Sequence, residues 1–535
     1  MANKFELSVA KLQKVATSFD NESVISKHDI LKIISLQKFT QSKSLIRYYD
    51  LLQFLCAYPS NPKIEKLAWK EIDRMTEYCK KSKNLDGDFF LNSGLPFSEI
   101  LMGFSHDCLK WMMIHSHLKV CLDRYENPKF ELNDVLRFTL PSLEAGMTSA
   151  GLENDELITK LGVKPIDSLQ FLLNQFDKFN DQPFVKDFLF EGIDIYVGIK
   201  PTHKLFSKAF NRLPVQETFY HAELLKKFDH LTLLNSPLPE PKKLNESELN
   251  HAINVAKNSM ALALRETDPT TYMDESSFRL YELERGISIA IYGMVPARQL
   301  PLESYVGYTL FKNGFQAAYG GSWVFGDRAL FGINISESLR GGESGFIMCQ
   351  LLRVYRQVFG INYFEVEPYQ YGADNPDGIK SGAFWFYYRY GFRPLDKTLA
   401  KLAVHEAEKI RSKKGYRSSI KVLEKFTDSN IALNLGEKVP LLVAEVSRQV
   451  SNMIAIRYKG NRQIAVTDCL RKFKEKTGYA VPDDMNERQV QEEMALWIES
   501  LNILDNEKLD ISLKMIRYKP VDLFKYQELL IEFIN

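Results

Sequence analysis

Three glycines and an arginine fall within six residues in Arg340-Gly341-Gly342-Glu343-Ser344-Gly345, directly before the amphipathic run "FIMCQLLRVYRQVF". A helix start leaves backbone N–H groups unpaired and carries the positive end of the dipole, so it attracts anions. Arg340 adds a full charge there, and the glycines let the backbone approach a ligand closely. The same glycines also suit a tight strand-to-helix connection with no ligand at all. Ser344 reads equally as a donor to an anion or as the N-cap of the helix. A second set of candidates lies in "NYFEVEPYQ" (362–370). Glu365 and Glu367 alternate with Phe364 and Val366, which places both carboxylates on one strand face, lining a cleft or ending a sheet. Glu337 is a third carboxylate nearby, and Lys380, Arg389 and Arg393 are isolated bases downstream.

Metal chemistry is the next class to weigh. "FSHDCLKWMMIHSH" (104–117) holds three histidines and an aspartate. His115 and His117 splay apart on a helix, and His106 with Asp107 lies two to three turns away, so no zinc-type spacing emerges. The six cysteines, Cys56, Cys79, Cys108, Cys121, Cys349 and Cys469, form no C-x-x-C pair and do not read as a disulfide framework. No metal is expected.

The elements that must position these residues follow from texture along the chain. At 535 residues several domains are expected, and 45% hydrophobic with 26% charged residues is a globular balance. Lys plus Arg number 69 against 68 Asp plus Glu, so there is no general pull toward nucleic acid or acidic membrane. "MANKFELSVAKLQKV" lacks the apolar run of a signal peptide, and no stretch approaches the roughly 20 apolar residues of a membrane helix. A cytoplasmic protein is the default expectation. Residues 1–240 read mostly as helices, with apolar residues three and four apart in "HDILKIISLQKF" and "DSLQFLLNQFDKF" and one short strand in "GIDIYVGIK" (192–200). The prolines of "NSPLPEPKK" end that region, and Asn245 with Glu248 makes a capping box for the next helix. "ESSFRLYELERGISIAIYGM" (275–294) reads as a further helix. Residues 305–335 are aromatic and β-branched, with an Asn313-Gly314 turn, and predict strands near 305–312, 315–325 and 328–335. A helix near 344–359, a strand at 362–370 and a short helix in "SGAFWFYYRYGFRPLD" complete an α/β segment. From 399 to 535 the chain reads as helical and charged.

Residues 302–396 resemble the GNAT superfamily of acyl-CoA-dependent N-acyltransferases. Arg340 and Gly345 occupy the first and last places of that family's pyrophosphate loop. Ala383, Phe386, Tyr387, Gly391 and Phe392 match its Ala, two residues, Phe-Tyr, three residues, Gly-Phe pattern. The sequence departs from the family in three places. Glu343 stands where the loop's middle glycine belongs, Lys380 replaces an asparagine, and the chain after "GFRPLD" turns helical where the family has its last hairpin. The sheet is then expected to be completed from elsewhere, with "GIDIYVGIK" as the candidate strand.

The resemblance implies an α/β fold, with a GNAT-like mixed-sheet core at 241–398 between large, mostly α-helical N- and C-terminal regions, 1–240 and 399–535. It implies acetyl-CoA or another acyl-CoA as co-substrate. The pyrophosphate would be held by Arg340, Gly341, Gly342, Ser344 and Gly345, and the pantetheine by backbone groups between strands 328–335 and 362–370. Tyr387 corresponds to the acid that protonates the leaving thiolate, and Glu365 or Glu367 would serve as base. The amine acceptor, small molecule or protein, is not indicated, and the helical regions leave room for a homo-oligomer. Two readings result: an N-acyltransferase, or a non-catalytic protein of the same fold that binds an acyl-CoA or other ligand or acts as a scaffold. An open cleft bounded by Gly341 to Gly345 is the feature that separates them.

Overall fold

The N-terminal helices fold where capping and apolar spacing agree. In the computed structural model, which describes residues 4–81 and 88–535, they are α1 (Lys4–Val15), α2 (Asn21–Ser35), α3 (Lys43–Ala57) and α4 (Pro62–Lys81). Asp20 caps α2 by accepting from the Ser23 N–H. α4 buries one stripe, Ile64, Ala68, Ile72, Met75 and Cys79, at the spacing one helix face requires. α3 buries residues all round, including Tyr48, Tyr49, Leu52, Gln53 and Phe54, and so lies inside the core.

Residues 100–201 contribute a separate three-stranded antiparallel sheet of β1 (Ile100–Met102), β2 (Leu118–Tyr125) and β3 (Ile195–Pro201), with β3 in the middle. The strand expected in "GIDIYVGIK" is therefore present as β3. It does not complete the main sheet, because both its edges are paired to β1 and β2.

The central sheet has nine strands. Helix α5 (Glu246–Leu262), with the capping box between Asn245 and Glu248, precedes it. Then follow β4 (Arg279–Leu283), β5 (Ile287–Tyr292), β6 (Ser304–Lys312), β7 (Phe315–Phe325), β8 (Arg328–Phe331), β9 (Asn334–Ile335), β10 (Tyr363–Val366), β11 (Arg393–Pro394) and β12 (Ile431–Asn434). Their order is β11-β12-β10-β8-β7-β6-β5-β4, with β9 also on β7. β8 and β10 run parallel, and every other pair is antiparallel.

The helix expected over 275–294 is instead the β4–β5 hairpin. Its turn places Arg285 (φ 62°) and Gly286 (φ 70°) in the left-handed region, and "RLYEL" and "ISIAIY" are β-branched and aromatic enough to pair across it. The strand expected at 328–335 breaks at Gly332 into β8 and β9. That expected at 362–370 stops at Val366, because Pro368 opens a short 3-10 turn, Pro368–Tyr371. After β11 the chain makes the helices Lys397–Ser412 and Ile420–Phe426 and then returns as β12 between β10 and β11. The sheet thus takes a strand from beyond residue 398, and its closing pair is interrupted by helices rather than missing.

Helix α6 (Ser344–Phe359) packs on the sheet and ends at Gly360 in the left-handed conformation. Helix α7 (Ala383–Arg389) lies beside its start. The last five helices, from Val443–Tyr458 to Leu523–Ile534, form their own apolar core around Trp497. They dock on the sheet through Gln527, whose amide donates to the Gly326 and Phe359 carbonyls. Among the described residues, no helix is long and apolar enough to cross a membrane.

Candidate functional site

β8 and β10 stay in register only from Arg328/Tyr363 to Leu330/Glu365 and then part. The gap between their ends is bridged from within. The Gln370 carboxamide accepts from the Ile333 N–H at 3.3 Å, and a Cβ on Gly332 would lie 2.6 Å from Gln370 Nε2. The Gly332 carbonyl accepts from the Tyr308 hydroxyl at 2.7 Å. Tyr387 stands against these strand ends, 2% exposed and walled by Phe331, Tyr371, Phe386 and Phe392. Burial raises its pKa well above the ordinary phenol value, so it stays a neutral proton donor at neutral pH.

The glycine-rich turn does reach Tyr387's helix. Tyr390, at the end of α7, packs so closely on Gly345 that a Cβ there would meet its hydroxyl, and Phe228 stacks on Tyr390 and against Phe346. Gly341 is exposed with φ 89°, a conformation that needs glycine. Gly342 is buried under the Tyr58 ring, 2.5 Å from where its Cβ would sit, and the Tyr58 hydroxyl accepts from the Glu343 N–H at 3.3 Å. Ser344 is half-buried, and the residue before it, Glu343, makes no side-chain cap. Arg340 is exposed, with Nε 3.4 Å from the Ile335 carbonyl.

Glu343 itself is fully buried and faces away from the helix start. Its Oε1 accepts from Arg285 Nε at 2.9 Å, Arg285 Nη2 at 2.5 Å and the Leu225 N–H at 2.8 Å, while Oε2 accepts from Lys312 Nζ at 2.8 Å. His221 Nε2 lies 3.8 Å from Oε2. Burial alone would raise the Glu343 carboxyl, but His221, Arg285 and Lys312 together hold it far below the usual carboxylate range. Burial lowers Lys312 to about 8 against the pull of Glu343. Glu343 thus joins the loop before α6 to the segment 219–225, the β4–β5 turn and β6 through its carboxylate, and to Tyr58 after α3 through its N–H.

The two expected bases are not paired on a cleft face. Glu365 is buried and bonded to Arg328 Nε at 2.9 Å and Asn430 Nδ2 at 2.5 Å, on the sheet face opposite Phe364. Glu367 lies past the end of β10 and is exposed. Arg393 folds back on the Tyr388 ring, its guanidinium donating to the Tyr388 and Phe392 carbonyls. Lys380 and Arg389 border a separate open groove of about 1140 Å³ with Trp385 and Arg417. His106 Nε2 is 2.9 Å from the Leu173 carbonyl, and the His117 ring stacks on His203. No group of three metal-capable side chains is found among the described residues.

Beside the turn, between α3, the end of α5 and β7, lies a cavity of about 290 Å³. Arg340 and Glu337 stand on its rim with Arg265, and Lys208, Gln53 and Gln316 line it. Tyr58, Lys312, Arg285 and Gln370 carried no sequence signal of their own. Glu343, as a carboxylate inside a glycine turn, was the one visible mark of the buried cluster. No family model matches the chain, and no curated protein or solved structure matches it either.

Proposed function

We propose that this chain is a non-catalytic, GNAT-like protein whose pyrophosphate turn has become a structural anchor, leaving it to bind another ligand. The observation that carries this reading is Tyr58: its ring covers Gly342 and its hydroxyl takes the Glu343 N–H, one of the backbone donors that a pyrophosphate would need. Glu343 takes the charges of Arg285 and Lys312 in the same cluster, so those cations are held by a carboxylate of the chain rather than by a phosphate. Gln370 likewise takes a backbone donor in the gap between β8 and β10, where a pantetheine amide would pair.

The acyltransferase reading keeps one observation in its favour. Tyr387 is a neutral, buried hydroxyl at the ends of the parting strands, as the acid for a thiolate would be. Calorimetric titration of the full chain with coenzyme A at moderate salt separates the two. No saturable heat is expected. Saturable binding that Arg340→Ala weakens would overturn the proposal in favour of an enzyme using acetyl-CoA or another acyl-CoA. A Tyr387→Phe variant would then lower turnover without changing that affinity.

A further inference from the structure

The cavity beside the turn is polar where a merely packed interior would be apolar. Gln53 comes from the middle of α3, is 4% exposed, and its Nε2 has no partner among the described residues. Gln316, on β7, is fixed by the Ser336 hydroxyl, which donates to its Oε1 at 2.9 Å, and this leaves its Nε2 unpartnered as well. Burying an amide donor without an acceptor is unfavourable, so two of them on facing walls of one cavity, α3 and β7, point to an acceptor that fills the space.

The charges agree. Lys208 is half-buried in the wall, and Arg265 and Arg340 stand at the mouth; among the described residues none of the three forms a salt bridge. Arg265 donates to the Leu264 carbonyl and bonds to the Tyr319 side chain, a neutral phenol of the same cavity, and Arg340 donates to the Ile335 carbonyl. Against these three cations stand exposed Glu337 on the rim and half-buried Asp50, one turn before Gln53 on α3, whose carboxylate already interacts with Lys208. At about 30 Å³ per water-sized group the cavity holds roughly ten such groups, enough for a phosphate ester or a small polycarboxylate and too little for a nucleotide cofactor.

We propose that the cavity lined by Gln53, Lys208, Arg265, Gln316 and Arg340 is a binding site for a small organic polyanion, recognised through phosphate or carboxylate oxygens. Lys208 and the two arginines supply charge, and the two glutamine amides supply directed donors deeper in the site. The site shares Arg340 with the glycine turn but uses neither the α6 N–H groups nor the gap between β8 and β10, so Lys208→Gln tests it apart from the turn.

The test uses the full chain and two probes, inorganic phosphate and citrate, titrated by calorimetry in a low-chloride buffer. Saturable binding of either probe at one equivalent is expected, the preferred probe telling a phosphate site from a carboxylate site. Lys208→Gln should weaken it roughly tenfold, as loss of a charged hydrogen bond in a partly buried site. Exposed Arg265→Gln should weaken it roughly threefold, and Glu337→Gln should tighten it roughly twofold. These rim changes leave the core untouched, so they remain readable even where a Gln53→Leu variant folds poorly. Absence of one-site binding for both probes overturns the proposal, as does binding that none of the three variants alters. Coenzyme A binding that is lost in Arg340→Ala but kept in Lys208→Gln would refute the reading of the turn while leaving this site standing.

Discussion

Replacing Glu343 by glutamine removes one negative charge from a cluster that holds two cations, and the consequences follow from the geometry. Lys312 has no exposed side-chain surface and Arg285 has 20%, so Arg285 can turn toward water while Lys312 cannot. Breaking a buried ion pair from one side costs about 3–5 kcal/mol, because the remaining charge stays buried without a partner. At 1.4 kcal/mol per tenfold, that is roughly a 150- to 4000-fold rise in local opening. The readout is hydrogen–deuterium exchange of peptides covering 305–312 and 340–352, which reports this cluster separately from the outlying helices.

The pH dependence gives a second signature. Lys312 titrates at about 8 in the folded protein, below its ordinary 10.5, and loss of Glu343 lowers it further. Near pH 9.5 the side chain is mostly neutral with or without Glu343, so the penalty of Glu343→Gln should shrink by up to about 1.4 kcal/mol from its value at pH 7, the worth of the one unit between pH 7 and a Lys312 at about 8. Glu343→Gln with Lys312→Met should recover most of the loss at pH 7. A penalty below about 1 kcal/mol at pH 7, the range of an exposed pair, or one that stays constant to pH 9.5 would refute the account of the turn as a structural anchor.

Other outcomes are expected elsewhere. Tyr58→Phe should cost about 1 kcal/mol through the lost acceptor for the Glu343 N–H, read by the same peptides; no change would show that the hydroxyl contact is idle. Gln370→Ala should speed exchange of the Ile333 amide by about tenfold or less, and an unchanged rate would mean that the gap between β8 and β10 is not closed by this side chain. Glu365→Ala leaves Arg328 buried without its carboxylate and should destabilise the sheet by about 3–5 kcal/mol, measured by urea unfolding; a loss of ligand turnover with stability intact would instead support a catalytic role. Lys519 is held at about 7 by burial, with Nζ donating to the Glu303 carbonyl and the Ser304 hydroxyl. The unfolded chain therefore binds more protons than the folded one between about pH 7 and the ordinary lysine value, and docking of the C-terminal helices should strengthen as pH rises across that window. Exchange in 510–530, corrected for intrinsic rates, checks this, and the same protection at pH 7 and 9 would contradict it.

Much of the architecture was legible in local sequence, for physical reasons. Helix α6 is written in its apolar spacing and in the glycines that bracket it, and β6 and β7 are written in β-branched and aromatic residues on either side of Asn313-Gly314. Local signals cannot say which strand edges meet. "ISIAIY" and "RLYEL" carry apolar residues at spacings that fit a helix, and only the two left-handed residues at 285 and 286 and the partner β6 make them strands. β12, separated from β11 by two helices, has no marker of its own; it joins the sheet because β10 and β11 leave an edge to be filled. The sequence by itself determined the types of most elements, the glycine turn before α6 and the anomaly of Glu343 within it. Only the tertiary structure decided what that anomaly does, because its partners Tyr58, His221, Arg285 and Lys312 lie from 31 to 285 residues away. A buried charge is tolerated where distant segments bring opposite charges and donors to it, and that requirement is met by packing rather than by any local pattern.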